Sequence, residues 1–276
     1  MRIGETLPVR RTLAGLLFGL AYLCASLAIA GFLLQRAAFE PTRSASAPDV
    51  VLQDAAIRNE LVTTIADAAA PQLHEDNATL RALVDTVARH PDGQHFFSPI
   101  IHDAHAALLG DHAGAVQLTG EQLVPILRTE AAVAMAPVTF VVPRVAALDL
   151  AHTVLRWLIP VAAIATIVFA ALGLTAHPDG SALMRSLALG MVLLATLVVI
   201  IGYLVPKFAV PALSDSPWAN ISATMADDSA TLTIALVVVL LVGAVALILS
   251  TSSMQRRRRW STPVSTYRYT EERQWS

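Results

Sequence analysis

LAGLLFGLAYLCASLAIAGFLL, residues 13–34, carries no charged side chain and is long enough to cross a bilayer. A hydrocarbon core takes about 20 apolar residues as a helix, because lipid offers no partner to backbone N–H and C=O groups. Similar runs follow at 154–175, 187–205 and 232–249, with Arg156 the only charged residue in any of them, at the edge of its run. Over 276 residues, a hydrophobic fraction of 55% against 14% charged belongs to the membrane class. The expected fold is an all-α membrane protein with four transmembrane helices. Added to these is a small, mainly helical extracytoplasmic domain with at most one two-stranded ribbon.

Arginine placement orients the chain, since cytoplasmic flanks collect Lys and Arg. Arg2, Arg10 and Arg11 precede the first run, Arg185 precedes the third, and Arg256–Arg259 follow the fourth. Both termini are therefore expected in the cytoplasm of a multi-pass plasma-membrane protein. The parts are a cytoplasmic N-terminus (1–12), spans at 13–35, 153–175, 187–205 and 231–250, and an extracytoplasmic domain (36–152). A cytoplasmic loop (176–186), an extracytoplasmic loop (206–230) and a basic cytoplasmic tail (251–276) complete the list. Signal-peptide cores run about 7–15 residues, so the first run reads as an anchor; cleavage near 28–30 or 45–47 is the alternative.

Charge separates the two sides. Residues 36–152 hold seven Arg against fourteen Asp plus Glu, a formal −7, whereas the segment after Thr251 has six Arg and two Glu, a formal +4. Arg256–Arg259 followed by Trp260 suit a stop-transfer cluster or attraction to anionic headgroups. Beyond Trp260 the tail reads as disordered. Nucleic-acid binding has no support outside that arginine run, which the membrane explains. Cys24 is the only cysteine, so an intramolecular disulfide is excluded; it reads as a buried thiol within the first helix.

Within 36–152 the apolar spacing turns helical. Asp54 is placed to cap a helix with Ile57, Leu61, Ile65 and Ala68 on one face, ending at Pro71. Asn77 is placed to cap a second, bearing Leu80, Leu83, Val84 and Val87. A third is expected over 93–109, closed by Gly110. The β-branched stretches 116–118 and 138–142 read as strands, with a helix capped by Thr119 and bent at Pro125 between them. Asp149 is expected to open the helix that becomes the second span. Gly15 and Gly19 form a GxxxG pair, read as close packing inside the four-helix set.

Histidine is the one polar residue that clusters: His74, His90, His95, His102, His105 and His112. His102 and His105 lie one helical turn apart and are the candidate metal ligands, although no third or fourth ligand is fixed by spacing. The bland alternative makes them surface or cap histidines, with His105 hydrogen-bonded in the domain core. No P-loop, G-x-S-x-G or HExxH pattern occurs. The Asp227–Asp228 pair, which could pass for catalytic carboxylates, is better placed to favour the N-terminal end of the fourth helix. No catalytic residue and no cofactor are expected. The absence of ionisable residues deep in the spans disfavours an energised transporter.

Three motifs carry a family resemblance: Leu52-Gln-Asp-Ala-Ala-Ile-Arg-Asn-Glu-Leu61, Asp103-Ala-His-Ala-Ala-Leu-Leu109, and Val116-Gln-Leu-Thr leading to Leu123-Val-Pro125. Across about residues 10–205 the chain resembles a broad, largely uncharacterised group of actinobacterial integral membrane proteins. In that group a helical outer domain interrupts the first two spans. The resemblance implies an envelope location and no defined activity. The expected function is a non-enzymatic accessory or scaffold subunit of an envelope or respiratory assembly. Its partners would be the lipid bilayer and a membrane protein or a second copy. The alternatives are an envelope sensor of metal or pH and a lipid-handling transporter component.

Overall fold

A computed structural model describes residues 6–111, 115–176 and 180–260, with side chains placed from residue 14 to 250 apart from 112–114, 176–183 and 185. Residues 1–5, 112–114 (with His112), 177–179 and those beyond Trp260 lie outside the described residues, and so do the expectations attached to them.

Four helices are long and apolar enough to cross a membrane, at Ala14–Ala38, Ala146–Thr175, Ser186–Ala209 and Ala230–Ser250. They belong to helices α1 (Thr6–Ala38), α9 (Ala146–Ala176), α10 (Gly180–Val199) and α12 (Ala230–Trp260). The protein is thus an all-α, multi-pass membrane protein. Helix α9 begins ahead of Asp149, which instead sits in its first turn and pairs with Arg144 at 2.6 Å. Past Val199, α10 continues as a π-helical segment, Ile200–Ala209, containing Pro206. Proline has no N–H and its ring crowds the preceding turn, a conflict that a wider turn accommodates.

The spans stand in a row: α1 packs on α9 and α10, and α10 packs on α12. Close approach falls on glycines other than the GxxxG pair. A Cβ on Gly15 or Gly19 would meet nothing within 4 Å, whereas one on Gly190 would lie 2.6 Å from the Tyr22 ring and one on Gly243 2.6 Å from Met191. The expectation for Gly15 and Gly19 is corrected: both face outward from the row. The Cys24 thiol is half-buried.

Between α1 and α9 lie two short helices, α2 (Pro41–Ser46) and α3 (Pro48–Val51), and the antiparallel pair α4 (Ala55–Leu73) and α5 (Asn77–Arg89). Then come α6 (Pro91–Gln94), a 3-10 turn and α7 (Ser98–Leu109). The expected third helix is therefore split, because Pro99 has no N–H to donate into the preceding turn and sits in the first turn of a new helix, where none is needed. Asp54 does cap α4, accepting from the Ala56 and Ile57 N–H groups at 2.8 and 3.0 Å. The cap of α5 is Asp76, one residue earlier than expected, accepting from Thr79 N–H at 3.0 Å. Pro71 lies within α4, which closes at His74 in the left-handed region. Gly110 terminates α7 with φ +84°. Strands β1 (Val116–Leu118) and β2 (Val138–Phe140) pair antiparallel in the register Val116–Phe140, flanking α8 (Gly120–Leu127) and a 3-10 turn.

The domain core draws on both long loops. Trp218, Ile221 and Met225 join Ile57, Leu61, Phe97 and Phe140 in a single buried cluster. These three come from a 3-10 turn (Pro217–Asn220) and helix α11 (Ile221–Asp228), between the third and fourth spans. The Trp218 ring meets the Phe140 edge at 6.1 Å, and Asn220 Nδ2 donates to Asp54 Oδ2 at 3.2 Å. The segment expected as a separate loop at 206–230 thus completes the domain. A second buried cluster, with Leu34 of α1, Phe39 just past its end, Leu108 and Leu109 of α7, Leu148 and Leu155 of α9, and Val210, joins that domain to the spans.

Candidate functional site

The polar chemistry collects at this junction. Helix α1 ends with carbonyls that have no intrahelical partner, and a domain side chain takes one of them. His105, on the inner face of α7 and 1% exposed, lies with Nε2 3.1 Å from the Ala38 carbonyl and Nδ1 2.9 Å from Ser44 Oγ. A carbonyl only accepts, so Nε2 carries the proton in the neutral ring and Ser44 donates to Nδ1. Ser44 Oγ also reaches the Pro41 carbonyl at 2.9 Å. A protonated imidazole can then donate from both nitrogens while the Ser44 hydroxyl turns to Pro41. Burial opposes that charge and is the largest influence, lowering the His105 pKa to about 4; the Ala38 bond works against the shift, His102 and His152 add to it and Asp111 opposes it.

The other histidines have separate partners. His102 Nδ1 faces the Asp103 carboxylate at 3.1 Å on the domain surface. His90 Nδ1 accepts from Asp92 N–H at 3.3 Å, and His95 lies against Phe96. His152 stacks on Phe39 and stands 3.3 Å from Asp111. The structure does not bring His102 and His105 onto a common ligand: both nitrogens of His105 are engaged inward. Among the described residues no group of three His, Cys, Asp or Glu side chains is placed to hold a metal ion.

Sequence reasoning missed a cation–carboxylate cluster beside the fourth span. Lys207, on the π-helical segment, donates to Asp227 Oδ1 at 2.5 Å and to Tyr203 Oη at 3.0 Å, and Tyr203 donates to the same Asp227 oxygen at 3.0 Å. Asp228 stands 3.6 Å from Arg43 of α2. Asp227 and Asp228 close α11 just before α12, as their expected role at its N-terminal end requires, and each also holds a cation from another element. The available signals were that Lys207 is the only lysine and that Tyr203 precedes it by one helical turn.

Beside this cluster α1 and α12 diverge. A cavity of about 180 Å³ opens between them, with Phe32 and Leu33 on one wall, Leu232 and Leu236 on the other, Gly202 behind, and Arg36 and Arg43 at its end. A second, more polar cavity of about 420 Å³ shares Phe32, Arg36 and Arg43, and adds Glu40, Thr42 and Ser46.

Comparison with protein-family models, with curated proteins and with solved structures gave no match.

Proposed function

We propose that this is a non-enzymatic plasma-membrane protein, with both termini in the cytoplasm, that holds an acidic extracytoplasmic domain in a fixed position for a membrane-protein partner or a second copy. The assignment to an envelope or respiratory assembly, and to the actinobacterial group named above, belongs to the same proposal. One observation carries it: the domain is assembled from both loops and locked onto the first span by the His105–Ala38 bond and the shared apolar cluster. Such a mount fixes the angle at which the domain meets a neighbour. Two of the titratable groups at the junction are committed to structural bonds, His105 to Ala38 and Ser44, and Asp227 to Lys207 and Tyr203. The row of spans leaves α9 with a broad apolar flank, Ile167 being 70% exposed, which supports a helical neighbour there.

Purification in mild detergent is expected to retain a stoichiometric partner or a dimer, and a photocrosslinker at Ile167 should join it covalently. A monodisperse monomer in several detergents, with no crosslink, removes the proposal. Reporter fusions near Asp85 should read outside the cytoplasm; a cytoplasmic signal overturns the orientation.

A second reading, an envelope pH sensor, is favoured by the arrangement around His105, whose hydrogen-bond partners serve both protonation states. Its test uses the full chain, since a 47–150 fragment lacks Trp218. Protection of the α1–α2 amides from hydrogen exchange should fall on acidification in the parent and not in His105→Gln; equal loss in both would dismiss it.

A further inference from the structure

We propose that the crevice between α1 and α12 is a binding site for a phospholipid of the domain-side leaflet, with a zwitterionic, ethanolamine-type headgroup. The two cavities share the walls Phe32, Arg36 and Arg43, so an apolar slot opens directly into a polar vestibule. Their order matches a lipid standing in a bilayer. Phe32, Leu33, Leu232 and Leu236 belong to the membrane-spanning stretches, and Arg36 lies at the domain-side end of the first span, where headgroups sit. The slot lies between α1 and α12 because α12 packs on α10 and not on α1, leaving Phe32 of α1 exposed at this level while Gly202 backs Leu33.

Charge selects the occupant. Arg43 is compensated by Asp228 at 3.6 Å. Arg36 is exposed, lines both cavities and forms no ion pair with any described residue, and its planar guanidinium fork suits phosphate. Glu40, also exposed and unpaired among the described residues, lines the same vestibule. One unpaired cation and one unpaired carboxylate on a shared wall complement a phosphodiester next to an ammonium group. A headgroup with net negative charge would satisfy Arg36 and be repelled by Glu40. The Thr42 side chain lines the same space and offers its hydroxyl to a phosphate oxygen, whereas the Ser46 hydroxyl is already donated to the Arg43 carbonyl at 2.7 Å.

The experiment is native mass spectrometry of the full chain released from nanodiscs of equal ethanolamine and glycerol phospholipid. The parent is expected to keep one ethanolamine phospholipid preferentially. Arg36→Gln should lower that retention about tenfold, the scale of one lost charge-assisted hydrogen bond. Glu40→Gln should keep a lipid but lose the headgroup preference, and Leu236→Trp, which fills the slot, should lower retention with the polar wall intact. Each variant is first matched to the parent in thermal unfolding, with Arg81→Gln as a distant control. Soluble glycerophosphoethanolamine should not displace the lipid. Undiminished retention in Arg36→Gln, equal retention of the two headgroups by the parent, or displacement by the soluble headgroup would each overturn the proposal.

Discussion

His105 lies with Nε2 3.1 Å from the carbonyl of Ala38, so a helix of the extramembrane domain satisfies the end of the first transmembrane helix. The bond is buried, and the cost of leaving either group unpaired exceeds the net worth of the pair. Domain and membrane helix therefore separate only by exposing both.

Acid should loosen this joint. The folded-state pKa of His105, about 4, is below its unfolded value of 6.5. The unfolded chain then binds more protons between those values, so the contribution of His105 is complete above about pH 6.5 and is lost as pH falls towards about 4. Its size is on the order of 3 kcal/mol. Thermal unfolding in nanodiscs across that range should show a decline in the parent that is largely flattened in His105→Gln.

Ser44 is the second half of the joint. Ser44→Ala removes the donor to Nδ1 at 2.9 Å and leaves a buried ring nitrogen unpaired, which should cost about 1–3 kcal/mol. The same substitution at Ser46, whose hydroxyl bonds only its local Arg43 carbonyl on the surface, should cost far less. Chemical unfolding of the two variants side by side measures the difference.

Much of the architecture was legible from residue type and spacing. The four apolar runs mark the spans, Asp54 and Gly110 mark helix ends, and the β-branched pairs mark the ribbon, because each rests on local backbone chemistry. What stayed hidden depends on contacts distant in sequence. Trp218 and Asp54 lie in different loops, and no periodicity joins them; the alternative that hydrogen-bonds His105 in the domain core holds, but spacing names neither of its partners, Ala38 and Ser44. The GxxxG pair misleads for a related reason: small residues permit close packing, but which of them meets a neighbour depends on helix rotation.

Trp218 should report on domain assembly from outside the segment that holds most of the domain. It is 1% exposed within a core that, apart from its neighbours Ile221 and Met225, is supplied by residues 51–140. Trp218→Ala removes a large buried ring and should destabilise the domain by about 3–5 kcal/mol. Limited proteolysis should then cut within α4 and α5 rather than only near residue 218. Cleavage confined to the 211–229 segment would mean that the domain folds without it.

The cluster at Lys207 is tested by pairing variants. Lys207→Met strips Asp227 of its cation, and Asp227→Asn does the reverse; either leaves a charge at the membrane boundary without its partner. Each single variant is expected to lower the unfolding temperature, and the double variant to regain part of the loss, since no isolated charge remains. Additive losses would show that the contact at 2.5 Å carries no coupling.

Glycine substitutions separate helix packing from helix propensity. In an exposed helix, Gly→Ala gains up to about 1 kcal/mol through a smaller entropy loss. Gly15→Ala should therefore be neutral or mildly stabilising, because its new methyl meets nothing within 4 Å. At Gly190 the same methyl lies 2.6 Å from the Tyr22 ring, forcing α1 and α10 apart at a cost of about 1–3 kcal/mol. Gly190→Ala with Tyr22→Leu should recover part of that cost, because the flat ring facing the methyl is gone. Thermal unfolding of the three variants in one lipid composition ranks them; a Gly190→Ala protein as stable as Gly15→Ala would mean that α1 and α10 do not meet at these residues.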